Sequence, residues 1–247
     1  KLITARIIVM SLKYKELRNN VLEANIDIVK YGLVLFSFGN VSAFDREKGL
    51  VAIKPSGVSY DDLTAEMIPI VDIDNKKVDG NLNPSSDTKT HTYIYRHCPS
   101  ICSVVHTHST YATSWAQANK ALPCFGTTHA DYYNNEIPCT QFMTDDQIKR
   151  DYEEETGKQI LDTIHPMKTD QLKMVLVAGH GPFTWGSNTK DAVHNAVVLE
   201  QLAKSAFLTL QINPNASPLN KNIADKHFNR KHGKDAYYGQ TNEWKKE

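Results

Sequence analysis

The sequence predicts a single α/β domain, because short β-rich runs alternate with amphipathic helical stretches along a chain of 247 residues. This alternation is not interrupted by a change in composition, a linker or an internal repeat. Hydrophobic residues make up 40% of the chain and charged residues 23%, as is ordinary for a globular protein with a buried core. These observations favour one domain over two.

The first elements follow from the spacing of the apolar residues. A helix is predicted over 11–32, where apolar residues recur at helical spacing and Gly32 provides a stop. The β-rich runs that come next are separated by Gly, Asn and Asp turns and lie at 33–45, 49–57 and 67–80. The segment "PSSD" supplies N-cap residues for a second helix over 84–98.

The alternation continues in the second half of the chain. The predicted elements are a strand at 100–109, helices at 110–120 and 147–164, a buried strand that runs into a Gly/Pro turn at 173–186, and a long amphipathic helix at 189–212. From Asn213 onward the chain is polar, and its tyrosines indicate that this tail packs against another surface.

The charge balance excludes some classes of partner. Lys and Arg total 28, as do Asp and Glu, so no overall field draws the protein to nucleic acid or to an anionic membrane. No apolar stretch approaches the roughly 18 residues of a membrane span, and "KLITARIIVM" is a poor signal peptide. The four cysteines form no CxxC pair. We therefore expect a cytoplasmic protein without a nucleic-acid or membrane partner.

A pair of histidines in "SVVHTHS" is the first sign of chemistry. His106 and His108 lie two residues apart at the end of an apolar strand, so they share a face at roughly 7 Å. At that spacing two imidazoles can bind one metal ion, although an isolated HxH pair is equally compatible with two inert polar residues. A third imidazole, His180, follows another apolar strand between Gly179 and Gly181.

A carboxylate could complete such a metal site. Asp87 is the candidate, and three histidines with one carboxylate would suit Zn²⁺, with Mn²⁺ or Co²⁺ as possible substitutes. His91 competes with His180, because Asp87 and His91 lie four residues apart and would share a helix face. The residue pattern by itself leaves both histidines open.

Two stretches have the composition of an anion site. "IKPSG" combines the cation of Lys54 with the hydroxyl of Ser56 and the amide of Gly57. "PSSD" places Ser85 and Ser86 at a predicted helix N-terminus, where free N–H groups and the helix dipole favour phosphate. The alternative for each stretch is an ordinary turn or helix cap.

Eight segments between about Leu17 and Gln240 share one resemblance: "GNVSAFD", "IKPSGV", "NPSSDTKTHTYIYR", "VVHTHSTYATSWAQA", "GTTHADYYNNEIPCT", "GHGPFTWG", "DAVHNAVVLE" and "DKHFNRKHGKDAYYGQ". In this order they resemble the L-ribulose-5-phosphate 4-epimerase family of the class II aldolase superfamily. The resemblance implies a single class II aldolase-like domain over 10–240, with a central, mainly antiparallel β-sheet between helices in α/β/α layers. Met10 and the helical stretch that follows it have the look of a natural start, so we expect residues 1–9 to be foreign to the natural chain. Residues 241–247 would be a polar C-terminal extension.

The resemblance also implies roles for individual residues. It implies a zinc ion held by Asp87, His106, His108 and His180, and so decides against His91. The residues that would bind the substrate, mainly its phosphate, are Gly39, Asn40, Ser56, Gly57, Ser85 and Ser86. Asp131 and Tyr238 would be the acid/base groups, with Tyr238 reaching the site of a neighbouring subunit in a homotetramer. Glu153 matches a family position near the site, but is equally compatible with a helix-surface carboxylate.

The implied reaction inverts carbon 4 of a ketopentose phosphate, interconverting L-ribulose 5-phosphate and D-xylulose 5-phosphate. The proton on that carbon is not acidic, and no GxGxxG follows a strand to bind a nicotinamide. The remaining route breaks the bond between carbons 3 and 4, rotates the aldehyde and re-forms the bond. A divalent ion would stabilise the resulting enediolate as a Lewis acid.

Two other functions share this fold. A class II aldolase of the L-fuculose-1-phosphate type has Ser-Ser-Glu where this chain has Ser-Ser-Asp at 85–87. A non-catalytic adducin-like binding module would have lost metal ligands, and all four matching positions are intact here. Within the epimerases, the motifs fit enzymes of L-arabinose use and of L-ascorbate use equally.

Overall fold

A computed structural model describes residues 14–165, 171–234 and 236–238. The expectations for 1–9 and 241–247 lie outside these residues. The helices are α1 (Lys15–Lys30), α2 (Thr88–His97), α3 (Thr110–Gln117), α4 (Thr127–Ala130), α5 (Asp145–Ile164), α6 (Thr189–Ile212) and α7 (Lys221–His232), with a short 3₁₀ turn at Ala65–Met67. The strands are β1 (Asn40–Asp45), β2 (Leu50–Ile53), β3 (Ile70–Asp72), β4 (Lys77–Asp79), β5 (Ser103–His106), β6 (Met174–Val177) and β7 (Gly181–Gly186).

The seven strands form one sheet in the order β4-β3-β2-β1-β5-β7-β6. Every neighbouring pair of strands is antiparallel. This confirms the mainly antiparallel sheet that the family resemblance implied. No helix in the described ranges is both long enough and apolar enough to span a membrane.

A hydrophobic core lies on each face of the sheet, which gives the expected α/β/α layers. Successive residues of one strand face opposite cores, because side chains alternate across a strand. Val104 belongs to the larger core with α2, α3 and α5, whereas Val105 belongs to the core under α1. Helix α6 contributes to both cores, through Ala192 to the smaller one and through Leu199 to the larger one.

The structure differs from the sequence prediction in several places. The run 67–80 contains two antiparallel strands, β3 and β4, and helix α4 lies where no element was predicted. Only Asn40–Asp45 of the run 33–45 is a strand, and the residues before it form an irregular loop. The run 173–186 is a hairpin of two strands rather than one strand and a turn. The polar tail contains helix α7, whose Asn220 side chain accepts a hydrogen bond from the backbone N–H of Asn222. Since α7 is polar, its sequence lacks the apolar period that marks a helix.

A buried asparagine joins α1 to the sheet next to the loop that enters β1. The side-chain oxygen of Asn25 accepts from the Val41 N–H at 3.0 Å, and its amide donates to the Val41 carbonyl at 3.2 Å. The same amide donates to the Val21 carbonyl at 2.8 Å. Asn25 thus bonds to both backbone groups of Val41, and both residues are fully buried.

We expect Asn25→Ala to lower the free energy of unfolding by about 1–3 kcal/mol, because it leaves the buried N–H of Val41 without a partner and leaves its carbonyl only a 3.4 Å bond from the Lys54 N–H. Urea unfolding followed by circular dichroism measures the change. Asn20→Ala, at an exposed position of the same helix, is the control and should alter the free energy by less than about 0.5 kcal/mol. Equal values for the two variants would contradict this account of Asn25.

Candidate metal centre

One edge of the sheet collects residues that are distant in the sequence. Asn40, at the start of β1, is paired with His106, at the end of β5, and His106 is paired with Phe183 of β7. The turn between β6 and β7 carries His180 to the same edge, since Val177 pairs with Gly181. Antiparallel pairing therefore places the start of one strand beside the end of the next.

His106, His108 and His180 form a triad at this edge. One ring nitrogen from each of the three lies within 4.8 Å of the others. The Nε2 atoms of His106 and His108 are 3.0 Å apart, and the ring centroid of His180 lies 4.6 Å from that of His106 and 5.2 Å from that of His108. The pairing that the HxH spacing predicts is thus present, and His180 joins it.

The surroundings of His106 fix its tautomer. Its Nδ1 lies 3.0 Å from the carbonyl oxygen of Pro182, which can only accept a hydrogen bond. Nδ1 therefore carries the hydrogen, and Nε2 is left with a lone pair directed at His108. The ring stacks on Phe183 at 4.2 Å, and burial lowers the pKa of His106 far below its ordinary value. A neutral imidazole with a free nitrogen is a metal ligand without further change.

His180 has a similar electrostatic setting. Burial lowers its pKa, and the neighbouring His108 adds to that effect, while Asp87 opposes it. Three imidazoles that converge on one point match the donor set of a catalytic Zn²⁺ site. The residues present therefore fit a divalent cation.

His91 is buried in a different network. Its Nδ1 lies 2.7 Å from the Ser42 hydroxyl, which is itself 2.6 Å from the hydroxyl of Tyr95. Burial lowers the pKa of His91 to about 4. Among the described residues the group that could hold an ion does not include His91. The four-residue spacing from Asp87 does place His91 on α2, but its side chain is hydrogen-bonded in the buried interior and does not join the triad.

Asp87 lies close to the triad without belonging to it. It stands at the N-cap of α2, and its Oδ2 accepts a hydrogen bond from the Asn40 amide at 2.7 Å. Burial opposes its ionisation, but the nearby His106 and the bond from Asn40 outweigh that effect and keep the pKa of Asp87 below its ordinary value. Its oxygens are not among the ligand atoms that lie within 4.8 Å of one another.

Asn40 connects Asp87 to the predicted phosphate segment. Its amide also donates to the Ser85 hydroxyl at 3.1 Å, while its own side-chain oxygen is buried and has no hydrogen-bond partner within the described ranges. An unpaired oxygen beside the triad is a ready acceptor for a hydroxyl of a ligand.

The two predicted anion segments pair with each other. The Ser56 N–H donates to the Asn83 carbonyl at 3.0 Å, and the Ser85 N–H donates to the Lys54 carbonyl at 3.1 Å. Ser56 and Ser86 are exposed. Gly57 is also exposed and has a φ of +70°. The side chain of Lys54 is instead buried, with its ammonium 2.6 Å from the Val58 carbonyl, and burial lowers its pKa to about 8.

Gly39 occupies a position that only glycine fits. Its φ is +74°, and a Cβ there would lie 2.7 Å from the carbonyl oxygen of His106 and 2.9 Å from Val34. The absence of a side chain lets the entry to β1 lie against the end of β5. This close approach brings Asn40 beside the triad.

Asp131 and Tyr238 lie together at α7. The Asp131 carboxylate accepts two hydrogen bonds of 2.9 Å from Arg230 and one of 3.1 Å from His227. Burial raises its pKa, but Arg230 and His227 outweigh that effect and hold the pKa of Asp131 below its ordinary value. The exposed Tyr238 ring packs against Arg230 and Lys231, at 4.9 and 4.3 Å. Within the described ranges, the side-chain contacts given for both residues run to α7 and not to the triad.

The structure adds Tyr152, a residue that no sequence motif marks. Its hydroxyl lies 3.4 Å from Nδ1 of His180. The neighbouring Glu153 contacts α2 through its carbonyl oxygen, which accepts from Thr90 at 2.6 Å. A single tyrosine on a polar helix is not a sequence motif that predicts a functional residue. A break in the helix at Asp151 determines which residue faces the site.

The sequence of this chain is similar to a described protein family and to named proteins. The family described as "Class II Aldolase and Adducin N-terminal domain" matches residues 19–207. The chain is 50% identical to "L-ribulose-5-phosphate 4-epimerase UlaF" of Salmonella paratyphi C over 226 residues, which cover 92% of this chain and 99% of the relative. The protein of the same name from Salmonella typhi is 49% identical over the same shares.

Solved structures share the fold at lower identity. An L-fuculose 1-phosphate aldolase superposes with a TM-score of 0.72 at 24% identity, over 85% of this chain and 95% of the other. YgbL from Escherichia coli, described as a putative aldolase/epimerase/decarboxylase, gives 0.68 at 23% identity, over 86% and 97%. The chain belongs to the class II aldolase superfamily and, within it, to the family of the L-ribulose-5-phosphate 4-epimerases.

Proposed function

We propose that this protein is a metal-dependent epimerase that interconverts L-ribulose 5-phosphate and D-xylulose 5-phosphate. The observation that carries the proposal is an identity of about 50% over 92% of the chain to proteins named L-ribulose-5-phosphate 4-epimerase. The triad of His106, His108 and His180 supports it, since three imidazoles that converge on one point suit a divalent cation, and such a cation stabilises the negative charge that this reaction builds up.

The metal would be held by the triad, with Asp87 as the carboxylate that the family pattern adds. A divalent cation bound there, Zn²⁺ or its substitutes Mn²⁺ and Co²⁺, supplies Lewis-acid stabilisation for the charge released when the bond between carbons 3 and 4 breaks. Burial keeps His106 neutral, and its hydrogen bond to the Pro182 carbonyl orients the ring for such a cation. Asn40 orients Asp87 and offers its unpaired oxygen to a substrate hydroxyl.

The phosphate would be bound by the paired segments around Ser56 and Ser85. Ser56, Gly57 and Ser86 are exposed there, next to the N-terminus of α2. Free N–H groups and the helix dipole favour an anion at that end of a helix. The phosphate lies on the fragment that turns during inversion, so this contact retains the fragment while its carbonyl group rotates.

Inversion requires a proton carrier on each face of the rotating carbonyl, and Asp131 and Tyr238 would be this pair. Arg230 and His227 hold the pKa of Asp131 below its ordinary value, so the carboxylate stays ionised at neutral pH and can accept a proton from the carbon 4 hydroxyl. Tyr238 carries a hydroxyl that can donate a proton. In the proposed homotetramer Tyr238 of one subunit serves the site of its neighbour, which would account for its exposure at 60% in a single chain.

The proposal predicts that the purified protein converts L-ribulose 5-phosphate to D-xylulose 5-phosphate and that chelation abolishes the conversion. Coupled detection of xylulose 5-phosphate, before and after EDTA and after Zn²⁺ is restored, makes the measurement. Accumulation of dihydroxyacetone and glycolaldehyde phosphate without xylulose 5-phosphate would instead identify a class II aldolase. Absence of both turnover and bound metal would support the adducin-like alternative.

Replacement of one histidine of the triad tests whether these residues hold a catalytic metal ion. We expect His108→Asn to lose zinc and to lower kcat at least about 100-fold, since Lewis-acid stabilisation contributes several kcal/mol. Metal content by mass spectrometry and steady-state kinetics report the two effects. His97→Asn is the matched control, because His97 is exposed on α2 and bonded to the Tyr93 carbonyl. Full activity in metal-free His108→Asn would refute a catalytic metal.

Mixing of two inactive variants tests the role of Tyr238 across subunits. If each site takes His108 from one subunit and Tyr238 from another, tetramers reassembled from His108→Asn and Tyr238→Phe chains should recover up to about a quarter of wild-type activity. A mixture of His108→Asn with His180→Asn should recover none, because both ligands come from the same chain. Failure of the first mixture to exceed the second would mean that Tyr238 acts within its own subunit or not at all.

A further inference from the structure

Two ring nitrogens of the triad have partners outside it, and these partners are of different kinds. Nδ1 of His106 is held by the Pro182 carbonyl at 3.0 Å, whereas Nδ1 of His180 has the hydroxyl of Tyr152 at 3.4 Å. The partner of the nitrogen that does not bind the metal sets both the tautomer and the orientation of a histidine ligand. His180 therefore depends on a side chain for what His106 obtains from the backbone.

We propose that Tyr152 is a positioning residue of the metal centre, whose hydroxyl oxygen accepts a hydrogen bond from Nδ1–H of His180 and leaves Nε2 to face the ion. This inference rests on the metal site of the proposed function. A neutral imidazole has one donor and one acceptor nitrogen, so a hydrogen on Nδ1 is the condition for a free lone pair on Nε2. Without Tyr152, His180 could adopt either tautomer, and the orientation of its ring would be less restricted.

A break in α5 directs Tyr152 toward the triad. Asp151 has φ −156° and ψ 98°, values outside the helical region, so the helix restarts at Tyr152. The Asp151 carboxylate accepts from the backbone N–H of Glu154 at 3.2 Å and thereby caps the second segment. The ring of Tyr152 then lies with its centroid 6.2 Å from that of His180.

The break is tied to the helix that begins beside Asp87. Lys89 of α2 forms an ion pair with Asp151, and the Thr90 hydroxyl donates to the Glu153 carbonyl at 2.6 Å. Both contacts flank Tyr152 in the sequence and fix the backbone on either side of it. The element that holds Asp87 and the element that orients His180 thus form one packed unit.

The test measures metal affinity rather than turnover. Metal-free wild-type protein and Tyr152→Phe are titrated with Zn²⁺ in competition with a chromogenic chelator, and the Co²⁺ absorption spectrum of each is recorded. We expect Tyr152→Phe to bind Zn²⁺ about 10–100-fold more weakly and to show shifted Co²⁺ bands. Tyr31→Phe, which removes the same hydroxyl from an exposed tyrosine at the end of α1, should match the wild type.

A second variant separates positioning from a fault in folding. Asp151→Ala keeps the Tyr152 hydroxyl but removes the cap and the ion pair, so it should weaken Zn²⁺ binding in the same direction. Thermal unfolding of the metal-free proteins checks that each variant is folded. Wild-type affinity and an unshifted Co²⁺ spectrum in Tyr152→Phe would overturn the role of Tyr152 alone. Absence of Zn²⁺ binding by the wild type would overturn the metal centre as well, so the two failures are distinguishable.

Discussion

The hydrogen bond from Nδ1 of His106 to the carbonyl oxygen of Pro182 is the contact on which the candidate metal centre depends. It keeps a buried imidazole neutral, oriented and with one free nitrogen, in surroundings where a charge would be costly. The carbonyl belongs to β7, so the partner strand itself fixes the ligand. The stacking of His106 on Phe183 of the same strand at 4.2 Å restricts the ring further.

The antiparallel sheet determines which other groups reach His106. The start of β1 brings Asn40, and the β6–β7 turn brings His180. Because Gly39 lacks a side chain, the loop before β1 can approach the His106 carbonyl, which a Cβ would meet at 2.7 Å. Pairing between the strands thus brings the metal ligands, the Asn40 amide and the predicted phosphate segment to one edge of the sheet. Side-chain hydrogen bonds then complete the site.

The sequence predicted the parts of this site that depend on short-range spacing. The HxH pair follows from the two-residue repeat of a strand, and Asp87 at a helix start follows from capping preferences. Spacing alone left His91 and His180 open, because the buried bond between His91 and Ser42 is a tertiary contact. The orientation of Tyr152 depends on the backbone break at Asp151 and on its ties to α2, and neither has a local sequence signal. The ionic surroundings of Asp131 come from α7, a polar helix without apolar period.

The position of the ion tests the central claim of this account most directly. Crystals of the purified protein, measured at wavelengths on both sides of the zinc absorption edge, would locate any bound zinc by anomalous scattering. We expect a single strong peak per chain about 2.0–2.1 Å from nitrogens of His106, His108 and His180, with Asp87 turned toward it. A zinc peak at any other place, or active crystals with no metal at the triad, would contradict it.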